Sequence, residues 1–191
     1  AKSDSSGKLQ FFDTRAVFSN ITNIAAAIKE NNKMLLDFRS RFLNKAGFRA
    51  KMTMLLQDPQ GRFTLDAKLD KMDPVDLNPM LQPMALAKIE RGQIQGLSYH
   101  LDADKMQGAG KLTLLYSDIK LTLLKKDNAQ NKYKARLLPT FAAGLMVKSS
   151  NPAKGETRIS RVHFPRDRHR SIFHLMWKSM FTAVKETAGM K

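Results

Sequence analysis

The sequence predicts an α+β fold: a twisted, curved, mainly antiparallel sheet of about seven or more strands, with helices packed on one face and an amphipathic helix at the C-terminus. Three observations carry this. Phe48, Ala50, Met52, Met54 and Leu56, and then Phe63, Leu65, Ala67 and Leu69, alternate with polar residues. Between the two runs lies Asp58-Pro59-Gln60-Gly61, which is hairpin chemistry. Near the end, Ile172, Phe173, Leu175, Met176, Trp177, Met180, Phe181, Ala183 and Val184 form an apolar arc at helical spacing.

The alternation means that one sheet face is wet, with Arg49, Lys51, Thr53, Thr64, Asp66, Lys68 and Asp70 on it, as in a half-buried antiparallel sheet. Leu97, Tyr99, Leu101 and Ala103 repeat the pattern, as do Leu112 with Leu114 and Ile119, Leu121 and Leu123 across a turn at Tyr116-Ser117-Asp118. Upstream, Leu9, Phe11, Val17 and Phe18 mark one strand, and Met34, Leu36, Phe38, Ser40 and Phe42 another; Ile24 to Ile28 reads as a turn or two of helix. A helical crossover is expected from about Val75 to Ala87, after Asp73-Pro74.

Beyond Lys125 the character changes. Lys125 to Lys132 reads as a polar loop, Tyr133 to Val147 as a mixed apolar run broken at Pro139, and Thr157 to Phe164 as a strand. Asp167 is the expected N-cap of the last helix and Gly189 its C-terminal stop. Residues 1–7 read as a solvated lead-in or junction and residues 8–191 as one domain, expected to be part of a longer chain.

Composition narrows the function. Apolar residues make up 42% and charged residues 26%, as in ordinary folded proteins. The net charge of +16, from 33 Lys and Arg against 17 Asp and Glu, predicts attraction to phospholipid head groups, nucleic acid or acidic proteins. There is no cysteine, hence no disulfide framework and no thiolate chemistry. No stretch approaches the roughly 18 apolar residues of a membrane-spanning helix.

The four histidines, His100, His163, His169 and His174, contain no i,i+4 pair, so no metal is expected. Gly108-Ala109-Gly110 is half of a dinucleotide loop but lies between strands, where it reads as a strand entry or bulge. With no nucleophile elbow, no phosphate-binding loop and no acidic cluster, the sequence predicts a protein that is not an enzyme, with no cofactor and no small-molecule substrate.

The succession Gly61 to Leu69, Asp76-Leu77-Asn78-Pro79-Met80-Leu81 with Pro83, Ile89 to Ile94, Gly108 to Leu112, Tyr116 to Leu121 and the closing Arg166-Asp167-Arg168-His169-Arg170-Ser171 before the Trp177 helix resembles the C-terminal region of AsmA-like proteins. The likeness is to those of Bacteroidetes, within the group related to TamB and the bridge-like lipid transfer proteins. It implies a periplasmic module whose full-length parent is anchored to the inner membrane. The module would bind or conduct phospholipid along an apolar sheet face in outer-membrane biogenesis or envelope homeostasis.

On that reading Phe48, Met52, Met54, Phe63, Leu65, Leu97, Tyr99, Leu112 and Leu114 are the expected acyl-chain contacts, and Arg166, Arg168 and Arg170 the expected contacts to anionic head groups or to an anionic membrane surface. Trp177 is expected to anchor the last helix as a lid on the sheet. Two rival readings are a basic nucleic-acid-binding domain and an envelope scaffold for a protein partner. Against the first, Phe48, Phe63 and Tyr99 fall in phase with the buried face, whereas stacking platforms interleave with exposed cations.

Overall fold

The computed structural model describes residues 9–127, 132–135 and 148–189. Among these residues, eight strands form one antiparallel sheet: β1 (Phe11–Ser19), β2 (Lys33–Phe42), β3 (Ala46–Leu55), β4 (Phe63–Leu69), β5 (Ala87–Ala103), β6 (Gln107–Asp127), β7 (Lys132–Ala135) and β8 (Ser160–Pro165). They run in chain order from β1 to β7, with β8 paired to the first part of β6. The helices among the described residues are α1 (Ala25–Glu30), α2 (Asn78–Ala85), which follows a 3-10 turn over Pro74–Leu77, and α3 (Ile172–Ala188).

The β3–β4 hairpin has the expected register, Met54 opposite Phe63 and Phe48 opposite Leu69. Its turn is held by Arg62, whose guanidinium donates to both carboxylate oxygens of Asp58, at 2.9 and 3.0 Å. This contact pulls the Asp58 carboxyl down to about 2. The turn's contribution to stability is present above the ordinary value of 3.8 and is lost only as pH falls through about 2.

Two segments differ from the expected elements. Leu112 to Leu114 and Ile119 to Leu123 belong to one long strand, β6, and Ile89 to Gly96 extends β5 backwards. The two strands pair through register shifts at Ile89/Arg91, Arg91/Gln93 and Ile94/Gly96, and bulges of this kind break the period-2 pattern. Asp118 has a positive φ of 54° within β6, and Gly92 has φ 136° directly against Ile119. A Cβ at Gly92 would lie 2.9 Å from the Ile119 Cα, so only glycine fits there. Gly108 and Gly110 are paired strand residues opposite Ala103 and Leu101.

Lys125 and Lys126 are strand residues opposite Lys134 and Tyr133 rather than loop. The lead-in at 1–7 and most of the apolar run from Tyr133 to Val147 lie outside the described residues. Asn78 is buried and pairs through its side chain with the Ile89 backbone, accepting from its N–H at 2.7 Å and donating to its C=O at 2.8 Å. That contact ties the crossover to β5.

The last helix is capped one turn later than expected. Ser171 is its N-cap, while the Asp167 carboxylate accepts from the His169 N–H at 2.9 Å and shapes the preceding turn. Gly189, with φ 78°, ends it as anticipated. The face of α3 turned to the sheet is Leu175, Ser179, Ala183 and Thr187. Tyr99 donates to Ser179 Oγ at 2.8 Å, and Ser160 and Thr187 share a hydroxyl contact at 2.6 Å. Trp177 is on another side of the helix, half-buried, with its ring stacked on Phe181 at 6.0 Å between centroids. Trp177 is therefore not the residue that seats the helix.

Candidate functional site

Alternation assigns Phe18, Leu36, Met52, Leu65, Leu101, Gly110 and Val162 to one inner-face row that crosses β1, β2, β3, β4, β5, β6 and β8. Burial along this row is graded. Leu101 is 0% exposed and Met52 7%, whereas Phe18 is 51% exposed. The cause is the placement of the helices: α3 packs on β6 and β8, and the 3-10 turn and α2 pack on β5. Among the described residues no helix packs extensively on β1, β2 or β3.

The part of the inner face on which no helix packs among the described residues is aromatic. Phe11, Phe38, Phe42 and Phe48 contact one another, with ring centroids 5.3–6.0 Å apart. Phe11 remains 41% exposed. All nine residues of β1 are exposed, which leaves β1 an apolar edge strand of the kind that proteins ordinarily cover. At one corner of this region lies a cavity of about 550 Å³ lined by Gln10, Leu43, Lys45, Val75, Asp76, Pro79 and Met80. The Lys45 ammonium and the Asp76 carboxylate pair across it at 3.5 Å.

The expected acyl-chain contacts divide between the two parts of the face. Met52, Phe63, Leu65, Tyr99, Leu112 and Leu114 are buried. They form the domain core, so a ligand would reach them only by displacing packed side chains. Phe48, Met54 and Leu97 are half-buried and pack against the margin of that core. Phe11 and Phe18, which alternation placed on β1 without distinguishing them as contacts, are the accessible members.

The three arginines expected at head groups lie elsewhere. They follow β8, six strand spacings from β1, or roughly 29 Å across the sheet. Arg166 is half-buried, its guanidinium donating to the Asp104 carbonyl at 3.4 Å, and its Nε is buried without a hydrogen-bond partner. Arg170 approaches Asp167 at 3.8 Å, and Arg168 is exposed. The structure does not bring them together with the open apolar region.

On the outer face, His100 stands between two carboxylates, with Nδ1 2.8 Å from Asp66 and Nε2 3.2 Å from Asp102. The hydrogen bond to Asp66, supported by that to Asp102, holds its pKa above the ordinary 6.5. Because the folded value is the higher one, this contribution to stability is complete below about 6.5 and is lost as pH rises through the folded value. A histidine NMR titration is expected to place His100 above the unfolded reference, and Asp66→Asn to bring it down. A midpoint at or below 6.5 in the unsubstituted protein would contradict the bridged arrangement.

Among the described residues no group of three His, Asp or Glu side chains is arranged to hold a metal ion, and no helix is long and apolar enough to cross a membrane. Comparison with family models, with curated proteins and with solved structures finds no match to this chain.

Proposed function

We propose that this domain is a non-enzymatic phospholipid-handling module of the cell envelope, as its resemblance to AsmA-like proteins implies, and that the open inner face of β1–β3 takes the acyl chains. The carrying observation is the row from Leu101 to Phe18. One apolar surface runs unbroken from a closed core to an edge where a phenylalanine is half exposed. Contiguous exposed apolar surface is a feature of binding sites. Methionines at Met34 and Met54, both partly buried beside the core, suit a surface that must adapt to flexible chains.

Native mass spectrometry of the purified domain tests the reading. Phospholipid is expected to remain bound to the unsubstituted protein, and Phe11→Ser with Phe18→Ser is expected to reduce the bound fraction several-fold. Phe18 is 51% exposed, so Phe18→Ser alone should keep its folding stability. Phe11 packs on Phe38, Phe42 and Phe48, so the melting temperature of the double variant is followed alongside. Protein that carries no lipid after purification, and takes none up from vesicles, would overturn the proposal.

A further inference from the structure

The outer face of the sheet carries two rows of charge on the same strands. In one, Asp37, Lys51, Asp66 and His100 lie directly opposite one another across β2 to β5. Acidic and basic side chains alternate along it. Two residues along, the same pairing aligns Arg15, Arg39, Arg49 and Lys68 across β1 to β4, and all four are exposed. Like charges directly opposite on one face destabilise a sheet, and the neighbouring row shows that these strands accommodate alternation. Arg39 is paired with Asp37 at 3.1 Å and Arg49 with Asp70 at 2.6 Å. Arg15 and Lys68 make no ion pair among the described residues.

The pair at Arg49 is itself built into the backbone. A Cβ at Gly47 would collide with an Asp70 carboxylate oxygen, so the carboxylate occupies the space that glycine leaves. Beside the cationic row, Phe12, Val17 and Leu35 share the outer face, at 39%, 44% and 46% exposure. Cations interleaved with aliphatic and aromatic side chains match a bilayer interface, where phosphates meet the charges and the apolar groups enter between head groups. Nucleic acid offers bases to a phenyl ring but no apolar phase to Val17 or Leu35.

We infer that the outer face of β1–β4 docks on an anionic bilayer through the row Arg15, Arg39, Arg49 and Lys68. The choice of a bilayer over other polyanions rests on the lipid reading above. It gives the two faces separate tasks, since Val17 points outward and Phe18 inward on the same edge strand. A chain leaving the bilayer would round β1 to reach the open inner face.

Co-sedimentation of the whole chain with phosphatidylcholine vesicles, with and without phosphatidylglycerol, tests the docking. Binding is expected to require phosphatidylglycerol and to weaken as salt is raised. Each cation near an anionic surface is worth roughly fivefold in partitioning, so Arg15→Gln with Lys68→Gln should lower binding about 25-fold. Neither side chain has an ion-pair partner among the described residues to lose, and removing like charges from the row should leave thermal melting unchanged or slightly raised. Arg168→Gln, at the opposite edge, should keep binding close to that of the unsubstituted protein.

Vesicle binding by the double variant within about twofold of the unsubstituted protein overturns the inference, because both cations of the row that make no ion pair among the described residues would then be dispensable. Two other results overturn it as well: binding to single-stranded DNA with vesicles ignored, or a stable dimer abolished by Phe12→Ser with no vesicle binding. The amount of co-purified phospholipid in the double variant should equal that of the unsubstituted protein, so the docking surface and the acyl-chain site can fail separately.

Discussion

Leu175→Ala is expected to destabilise the domain by about 2–5 kcal/mol, the usual cost of truncating a fully buried leucine, while Trp177→Ala costs less, about 1–2 kcal/mol. Leu175 is 1% exposed and belongs to the main core, where its terminal carbon would sit 3.5 Å from a Cβ at Gly108. The glycine makes room instead for Leu101, whose terminal carbon a Cβ there would meet at 2.9 Å. Trp177 is only half-buried and has Phe181 as its ring partner. Urea unfolding followed by a probe common to both variants, with unchanged dependence on denaturant, measures the difference. A Trp177→Ala loss equal to or greater than that of Leu175→Ala would mean that the helix seats itself through its bulky side after all.

The reason this helix face was hard to see in advance is physical. An apolar arc counted by hydrophobicity favours Phe173, Trp177 and Phe181, yet Phe173 is 68% exposed. The seated stripe uses Ser179, Ala183 and Thr187. Small residues let the helix approach the sheet closely, and the two hydroxyls are satisfied within the helix by Leu175 and Ala183 carbonyls at 2.6 and 3.0 Å. Size complementarity across an interface is not written in either partner's periodicity alone.

Strand identity was legible wherever pairing is regular. The hairpin from Ala46 to Leu69 follows strict alternation, and its register agrees with its turn. The joined strands β5 and β6 were not legible over Ile89 to Gly96 and Tyr116 to Asp118. Three register shifts there bring consecutive polar residues such as Glu90 and Arg91 together, and that pattern reads as a loop. The open region was legible only in outline. A helix is about 10–12 Å across, whereas strands repeat every 4.8 Å or so, hence one helix covers about two strands. Which two depends on where β8 brings the chain back, and β8 returns beside β6. The cationic row was invisible to composition, since Arg15, Arg39, Arg49 and Lys68 become neighbours only through strand register.

Asn151→Ala is the second large loss to be expected, at about 3–5 kcal/mol, because it orphans several buried backbone groups at once. Asn151 is 0% exposed. Its side-chain amide donates to the Leu114 carbonyl at 2.7 Å and the Arg158 carbonyl at 3.0 Å, and its side-chain oxygen accepts from the Arg158 N–H at 2.7 Å. Its own backbone exchanges two 2.8 Å bonds with Tyr116. The side chain thus joins β6 to the segment leading into β8, much as an extra length of strand would. Arg158, placed by that contact, donates to the Tyr116 hydroxyl at 3.0 Å and to the Thr187 carbonyl at 3.3 Å, holding the end of α3. Asn151→Asp separates shape from hydrogen bonding. The carboxylate keeps the acceptor for the Arg158 N–H but faces two carbonyls without a proton to give, so burial should raise its folded pKa above the unfolded value. The Asp variant should then be most stable at acidic pH and lose stability as pH rises through the folded value. A loss below about 1 kcal/mol for Asn151→Ala, or an Asp variant whose stability rises with pH, would show that water or a neighbouring group serves these carbonyls and that Asn151 does not hold the junction.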